Sequence, residues 1–281
     1  MVESGKLKGN MLISCQNLSF GYDGNTVIRD LTFTVEHGDY LWVVGENGSG
    51  KTTLIKGILR LLNPVKGNIQ FCDELKQGRI GYLSQEMAIK KDFPAGVFEI
   101  VVSGNIGSMG LRPYYSVREK KLAEDALEQL GIAGLKKRCF RELSGGQQRR
   151  VLLARALCAA SAEPISAGAE HKVVETSCRL LVLDEPAASL DPLVTVEVYE
   201  LLNTLVLKKG ITIIMVSHDT RAAERYANRI LHLEGGCGYF GNTAEYLSSG
   251  RGKIFFGHHG PQPEHSAEPR GRGSPPEEND D

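Results

Sequence analysis

The chain has 281 residues, 41% hydrophobic and 24% charged, enough to bury a substantial core and to predict one large domain with a smaller lobe. Its 33 Lys and Arg balance 34 Asp and Glu to a net charge of -1, which leaves no basis for a general electrostatic affinity for nucleic acid or anionic lipid. The longest apolar runs, such as Leu180–Leu183 and Ile211–Val216, fall far short of the roughly 20 residues that cross a bilayer.

Met1–Asn10 is polar and lacks the apolar centre of a signal peptide, which predicts a chain on the cytoplasmic side. Short apolar runs follow at Met11–Cys15, Thr32–Val35, Tyr40–Val44 and Asn68–Phe71. They are separated by Gly, Asp and Asn, the pattern of strands joined by turns. Between the strand Leu41–Val44 and a helical stretch over Thr53–Leu62 lies Gly45-Glu46-Asn47-Gly48-Ser49-Gly50-Lys51-Thr52, a match to Gly-x-x-x-x-Gly-Lys-Thr in the context that motif requires. Its glycines let successive amides curl around phosphates, Lys51 can neutralise the β and γ oxygens, and the Thr52 hydroxyl can coordinate magnesium.

Gln85 follows a strand at Arg79–Leu83; alone it reads as a turn glutamine. From Pro94 the period becomes helical. Val97, Ile100 and Val101 recur on one face, and Ser116 with Glu119 opens a helix carrying Leu122, Ala126, Leu127 and Leu130 that Gly131 would end. This lobe runs to about Arg141 and hands over to Leu143-Ser144-Gly145-Gly146-Gln147. There Ser144 and Gln147 form a capping box ahead of a run rich in Leu, Ala and Arg. Gly145 and Gly146 leave the first amides of that helix without side-chain cover, so an anion can approach the positive end of its dipole.

Residues 161–177 read as an extended surface loop. The apolar strand Leu180–Leu183 then ends in Asp184 and Glu185, placed to hold magnesium and to orient or deprotonate a water, respectively. A helix over about Leu193–Leu207 and a strand at Ile211–Ser217 follow. His218, just beyond, taken singly is a polar cap on a strand end. Alternating buried strands and helices imply a parallel α/β core. From Ser248 the composition shifts to Gly, Pro, Ser, Glu and His and predicts a disordered tail over 248–281, in which His258, His259 and His265 read as solvated rather than metal-binding. Six cysteines, at 15, 72, 139, 158, 178 and 237, show no Cys-x-x-Cys pairing and read as reduced thiols.

The ordered set resembles the nucleotide-binding subunit of ABC transporters from Leu12 to about Leu247. In that resemblance Gly45–Thr52 is the Walker A motif, Gln85 the Q-loop, Leu143–Gln147 the signature and Leu180–Glu185 the Walker B motif. Ser189-Leu190-Asp191 is the D-loop and His218 the switch histidine. The resemblance implies an α/β fold with a P-loop NTPase, RecA-like core, an antiparallel β subdomain and an inserted α-helical signature subdomain. The ATPase domain would occupy 11–247, with the helical part at about 87–160. It implies that ATP and Mg2+ are bound, with Tyr22 stacking on adenine. Gly45, Glu46, Asn47, Gly48, Ser49, Gly50, Lys51, Thr52 and Thr53 would meet the phosphates, and Thr52, Gln85 and Asp184 would hold Mg2+. Glu185, His218 and Gln85 would be catalytic. Ser144, Gly145, Gly146, Gln147 and Asp191 would act on nucleotide across a dimer of two copies, each P-loop facing the signature of the other.

The segment Asp92–Gly104 is similar to that of ATPase subunits of zinc and manganese importers, with related segments in importers of iron chelates and cobalamin. In those families this region meets the permease, so Val97, Ile100 and Val101 are expected both to pack on their own lobe and to touch a permease. The implied protein is a peripheral subunit on the cytoplasmic face of the membrane. It would serve an integral permease and, indirectly, an extracytoplasmic solute-binding protein. It would energise uptake of a divalent metal ion, zinc or manganese; import of an iron chelate or cobalamin, export, or a soluble non-transport ATPase acting on DNA or ribosomes are the alternatives. The last of these usually has two cassettes or a coiled-coil insertion, and this chain has neither.

Overall fold

Strands β3 (Tyr40–Gly45), β6 (Leu180–Asp184) and β7 (Thr212–Val216) are buried along their whole length in the computed structural model. It describes residues 10–22, 24–73, 75, 80–85, 94–161, 179–188 and 190–258, without the side chains of Ser108 and His258. The strand period of two sorts their side chains between two cores. Tyr40, Trp42, Leu181, Leu183, Ile213 and Met215 enter one. Leu41, Val43, Leu180, Val182, Ile214 and Val216 enter the other. A strand buried on both faces has few polar positions, which is why these segments are nearly continuous apolar runs in the sequence, with Asp184 and Thr212 at their ends.

With β5 (Ile80–Leu83), β8 (Arg229–Glu234) and β9 (Cys237–Asn242) they make a six-stranded sheet of order β5-β6-β7-β3-β8-β9. All pairs are parallel except β8 with β9. The carboxyl ends of β3, β6 and β7 therefore open on one edge, where α/β sheets bind ligands.

A second, antiparallel sheet has the order β2-β1-β4, from β1 (Met11–Tyr22), β2 (Asn25–Glu36) and β4 (Lys66–Phe71). The first two strands are longer than the apolar runs suggest. The run in β1 breaks at Gln16 and Asn17, but the strand continues through an irregularity there, with Asn17 at φ 48° and its N–H donating to Thr32 Oγ1 at 3.0 Å. Helix α1 (Lys51–Ile58) packs Leu54, Ile55 and Ile58 between the two sheets. It stops short of the expected Leu62 because Arg60 turns left-handed at φ 61°.

The inserted lobe holds α2 (Val97–Val102), α3 (Val117–Gln129) and α4 (Gly145–Ala160). The predicted capping box of α3 is formed, with the Ser116 N–H donating to Glu119 Oε2 at 2.7 Å and the Glu119 N–H to Ser116 Oγ at 3.2 Å. Gly131, at φ 67°, follows the helix end. Val97, Ile100 and Val101 are 0%, 3% and 0% exposed, so they belong wholly to the lobe's own core. The expectation that they also touch a permease is corrected: no part of these side chains remains to meet a partner. Helix α4 lies tight on β5, where a Cβ at Gly81 would come within 2.2 Å of the Ala156 carbonyl oxygen.

Helix α5 (Pro192–Lys209) starts at Asp191, whose carboxylate accepts from the Val194 N–H at 3.1 Å, and ends at Gly210 with φ 61°. Helices α6 (Thr220–Tyr226), α7 (Thr243–Ser248) and α8 (Gly250–His258) complete the described chain. Helix α8 corrects the expectation of an irregular tail from 248. Phe255 and Phe256 give that segment rings to bury in part, while Ile254 stays exposed. Phe255 lies 4.4 Å from the His232 ring, and Phe256 lies 5.9 Å from Tyr246, centroid to centroid.

The rest of the tail, with His259 and His265, lies outside the described residues. So do most of the 161–177 loop, Arg79, Asp92, Phe93 and Ser189. Cys15, Cys72, Cys139, Cys158 and Cys237 are free thiols. No described helix is long and apolar enough to cross a membrane.

Candidate functional site

The loop from Gly45 to Gly50 is built on glycines that an L side chain could not replace. Gly45, Gly48 and Gly50 have φ of 148°, 82° and 101°, and Gly50 ends the loop as the N-cap of α1. Lys51, almost fully buried, folds back over the loop. Its ammonium donates to the carbonyl oxygens of Gly45 and Glu46, each at 2.8 Å. Burial lowers its pKa, and the nearby Glu185 and Asp184 carboxylates oppose that shift.

Around Lys51 lies a cavity of about 230 Å³. Gly48, Gly50, Lys51, Thr52 and Thr53 line it from the loop and α1, and Gln85 from beyond β5. Asp184 and Glu185 line it from the end of β6, and His218 from beyond β7. Residues spread over more than 170 positions thus meet because four parallel strands, β5, β6, β7 and β3, end side by side. Asn47 lines this cavity and, with Glu46, Gly48 and Ser49, also a larger one of about 860 Å³ on the other side of the loop. The chemistry-bearing carboxylates line only the smaller cavity.

Glu185 is held from several sides. Its backbone is left-handed, at φ 49°, a conformation costly for a residue with a Cβ. Its N–H donates to the Val216 carbonyl at 2.8 Å, and its Oε1 accepts from the His218 N–H at 3.1 Å. Burial, and then the Asp184 charge, push its pKa up to about 6, while the His218 N–H and Lys51 restrain the rise. The Asp184 pKa is also raised by burial, against the pull of Lys51 and Arg149. Two adjacent carboxylates beside one ammonium have the chemistry to hold a phosphate-bound cation and to activate a water.

The helix start at Ser144 has the geometry the sequence predicts. The Ser144 N–H donates to Gln147 Oε1 at 3.1 Å, and the Gln147 N–H to Ser144 Oγ at 3.3 Å. Ser144, Gly145 and Gln147 are exposed, and none of Ser144–Gln147 lines the Lys51 cavity. Nor do Tyr22 and Asp191. Tyr22 is half-exposed on β1 with the Lys56 ammonium 5.8 Å from its ring centre, and Asp191 is engaged as the cap of α5.

Sequence reasoning missed Arg149. This buried arginine of α4 donates to the carbonyl oxygens of Glu185 and Pro186 and lies 3.5 Å from that of Asp184. Its signal was present: Arg149 stands three and four positions before Leu152 and Leu153, on the apolar side of the helix, where a guanidinium must find acceptors.

The model of the family described as ABC transporter matches residues 28–162. The zinc uptake system ATP-binding protein ZurA of Listeria innocua is 32% identical, over 84% of this chain and 88% of its own. The manganese transport system ATP-binding protein MntB of Bacillus subtilis is 33% identical, over 79% of this chain and 82% of its own. Among solved structures, cbiO1 of Clostridium perfringens, part of the ABC transporter complex cbiONQ, superposes with a TM-score of 0.69 at 26% identity. That match covers 86% of this chain and 93% of that one.

Proposed function

The chain belongs to the ABC transporter family and is an ATP-binding, ATP-hydrolysing subunit, and we propose that it drives uptake of a divalent metal ion, zinc or manganese, through a separate membrane permease. The observation that carries the catalytic part is the convergence of Lys51, Asp184, Glu185 and His218 on one cavity of about 230 Å³. The names of relatives matched over most of this chain support the cargo class.

In this reading the loop amides and Lys51 grip the phosphates, leaving the carbonyls of Gly45 and Glu46 as ATP enters. Glu185, ionised above about pH 6, orients and deprotonates the attacking water. His218 lies beside it, with Nε2 3.6 Å from Glu185 Oε1. Thr52, Gln85 and Asp184 supply the hard oxygen donors that suit Mg2+, which when bound neutralises charge on the phosphates. No group of three or more His, Cys, Asp or Glu among the described residues could hold a metal alone, but an ion carried by phosphate needs only one or two protein ligands. Tyr22 would meet the base.

The signature residues Ser144, Gly145, Gly146 and Gln147 stand apart from this cavity, so they, with Asp191, would serve the ATP of a second copy. In this reading each P-loop of a two-fold pair would face the other chain's α4. Ile106, Leu111, Tyr114 and Val117, all large, apolar and exposed, offer the helical lobe's surface to a permease on the cytoplasmic face of the membrane. A solute-binding protein would then deliver the ion to that permease.

Accumulation of zinc and of manganese in cells lacking the chain tests the cargo. Loss of uptake of one of them supports the reading. Unchanged uptake of both, with loss of a chelate or gain in an exported compound, overturns it.

A further inference from the structure

The carbonyls of Asp184, Glu185 and Pro186 turn toward α4 instead of toward a neighbouring strand, because β6 ends at Asp184 and Glu185 is left-handed. Buried carbonyls in such a turn need donors. They share one. The Arg149 guanidinium donates through Nε to the Pro186 carbonyl and through Nη2 to the Glu185 carbonyl, with Nη2 also 3.5 Å from the Asp184 carbonyl. Arg149 is 4% exposed, so this contact is dry. A planar fork can bond two adjacent carbonyls at fixed geometry, which a lysine ammonium cannot reproduce.

Arg149 stands five residues after Ser144 on the same helix, about 7.5 Å along its axis. The exposed end of α4 and the strained backbone of Glu185 are therefore joined by a single side chain. We propose that Arg149 is a positioning residue. It fixes the backbone of Glu185 and so ties the water-activating carboxylate of one site to the helix whose N-terminus serves the ATP of the other. The proposal rests on the reading of Glu185 as catalytic and goes beyond it.

The guanidinium touches neither Lys51 nor any residue of the phosphate loop among its hydrogen bonds. Loss of the fork should thus lower kcat and leave KM for ATP unchanged. The chain is compared with its Arg149→Lys, Arg149→Met and Glu185→Gln variants and the double variant Arg149→Lys with Glu185→Gln, by steady-state and single-turnover ATP hydrolysis, with thermal unfolding beside each. Arg149→Lys keeps the charge and one bond and is expected to lose about tenfold in kcat; Arg149→Met, lacking every donor, is expected to lose about a hundredfold. KM should stay within about twofold in both. In the Glu185→Gln background, Arg149→Lys should change the rate by less than about twofold, since the group it positions is gone.

Unchanged kcat in either folded Arg149 variant overturns the proposal. So does a raised KM with unchanged kcat, or a loss in the double variant equal to the product of the single losses. If Arg149→Met does not fold, Arg149→Lys carries the test. Failure of the underlying reading looks different: Glu185→Gln would itself turn over ATP at close to the parent rate.

Discussion

Glu185 Oε1 accepts a hydrogen bond from the backbone N–H of His218 at 3.1 Å, while His218 Nε2 lies 3.6 Å from the same oxygen. The main chain of His218 thus places the carboxylate, with the ring beside the same oxygen. Burial and then the Asp184 charge raise the Glu185 pKa to about 6, against the His218 N–H, Lys51 and Ser217. A base with this pKa gives ATP turnover that falls as pH drops through about 6 and levels above it. His218→Ala should lower kcat and leave that acid limb in place. A pH–rate profile of both proteins checks this; a limb that moves by a full unit in His218→Ala contradicts it.

The same residue stores instability. Its folded pKa of about 6 lies above the ordinary 4.5, so the neutral form is favoured in the fold. That contribution is fully present below pH 4.5 and is lost as pH rises through about 6. Gln is neutral throughout. Glu185→Gln should therefore raise Tm at pH 7.5, with the gain shrinking toward pH 4.5; thermal unfolding at the two pH values measures it, and a lower Tm at pH 7.5 counts against the assignment.

Gly145 and Gly146 separate two reasons for a glycine. A Cβ at Gly145 meets nothing within 4 Å, whereas at Gly146 it would approach Val194 Cγ1 to 2.8 Å. Gly145→Ala should leave the Tm of the single chain unchanged or raised, yet cut ATPase activity by about tenfold or more, because in the proposed dimer the added methyl would stand where a partner's phosphate approaches. Gly146→Ala should lower both. Unfolding curves paired with turnover decide between these patterns.

Helix α8 is expected to contribute to stability rather than chemistry. The His232 ring, whose Nδ1 bonds the Tyr246 hydroxyl at 2.7 Å, lies against Phe255. Phe255→Ala should cost about 1–3 kcal/mol of unfolding free energy, since the ring is only partly buried. Turnover at a temperature where both proteins are folded should be unaffected. Denaturant melts check the first part and an ATPase assay the second.

Much of the site was legible because local rules carry it. The P-loop spacing, the Ser144–Gln147 box and the strand ending in Asp184-Glu185 each depend on neighbours within a few residues. What was not legible depended on tertiary partners. The irregularity at Asn17 hides a continuous strand behind two polar residues. Helix α8 needs His232 and Tyr246 to receive its phenylalanines. The burial of Val97, Ile100 and Val101 depends on α3 and α4, which pack against their helix. Arg149 required both the helix face and the left-handed turn at Glu185 to be known before its role could be read.

The central claim is that the site around Lys51 is completed by Ser144, Gly145 and Gly146 of a second copy. Light scattering of the Glu185→Gln protein with and without ATP tests it most directly. Without nucleotide the account expects the mass of one chain, 30.7 kDa, and with saturating ATP a mass twice that value. A single-chain mass at saturating ATP, in a protein shown to have bound the nucleotide, would contradict it.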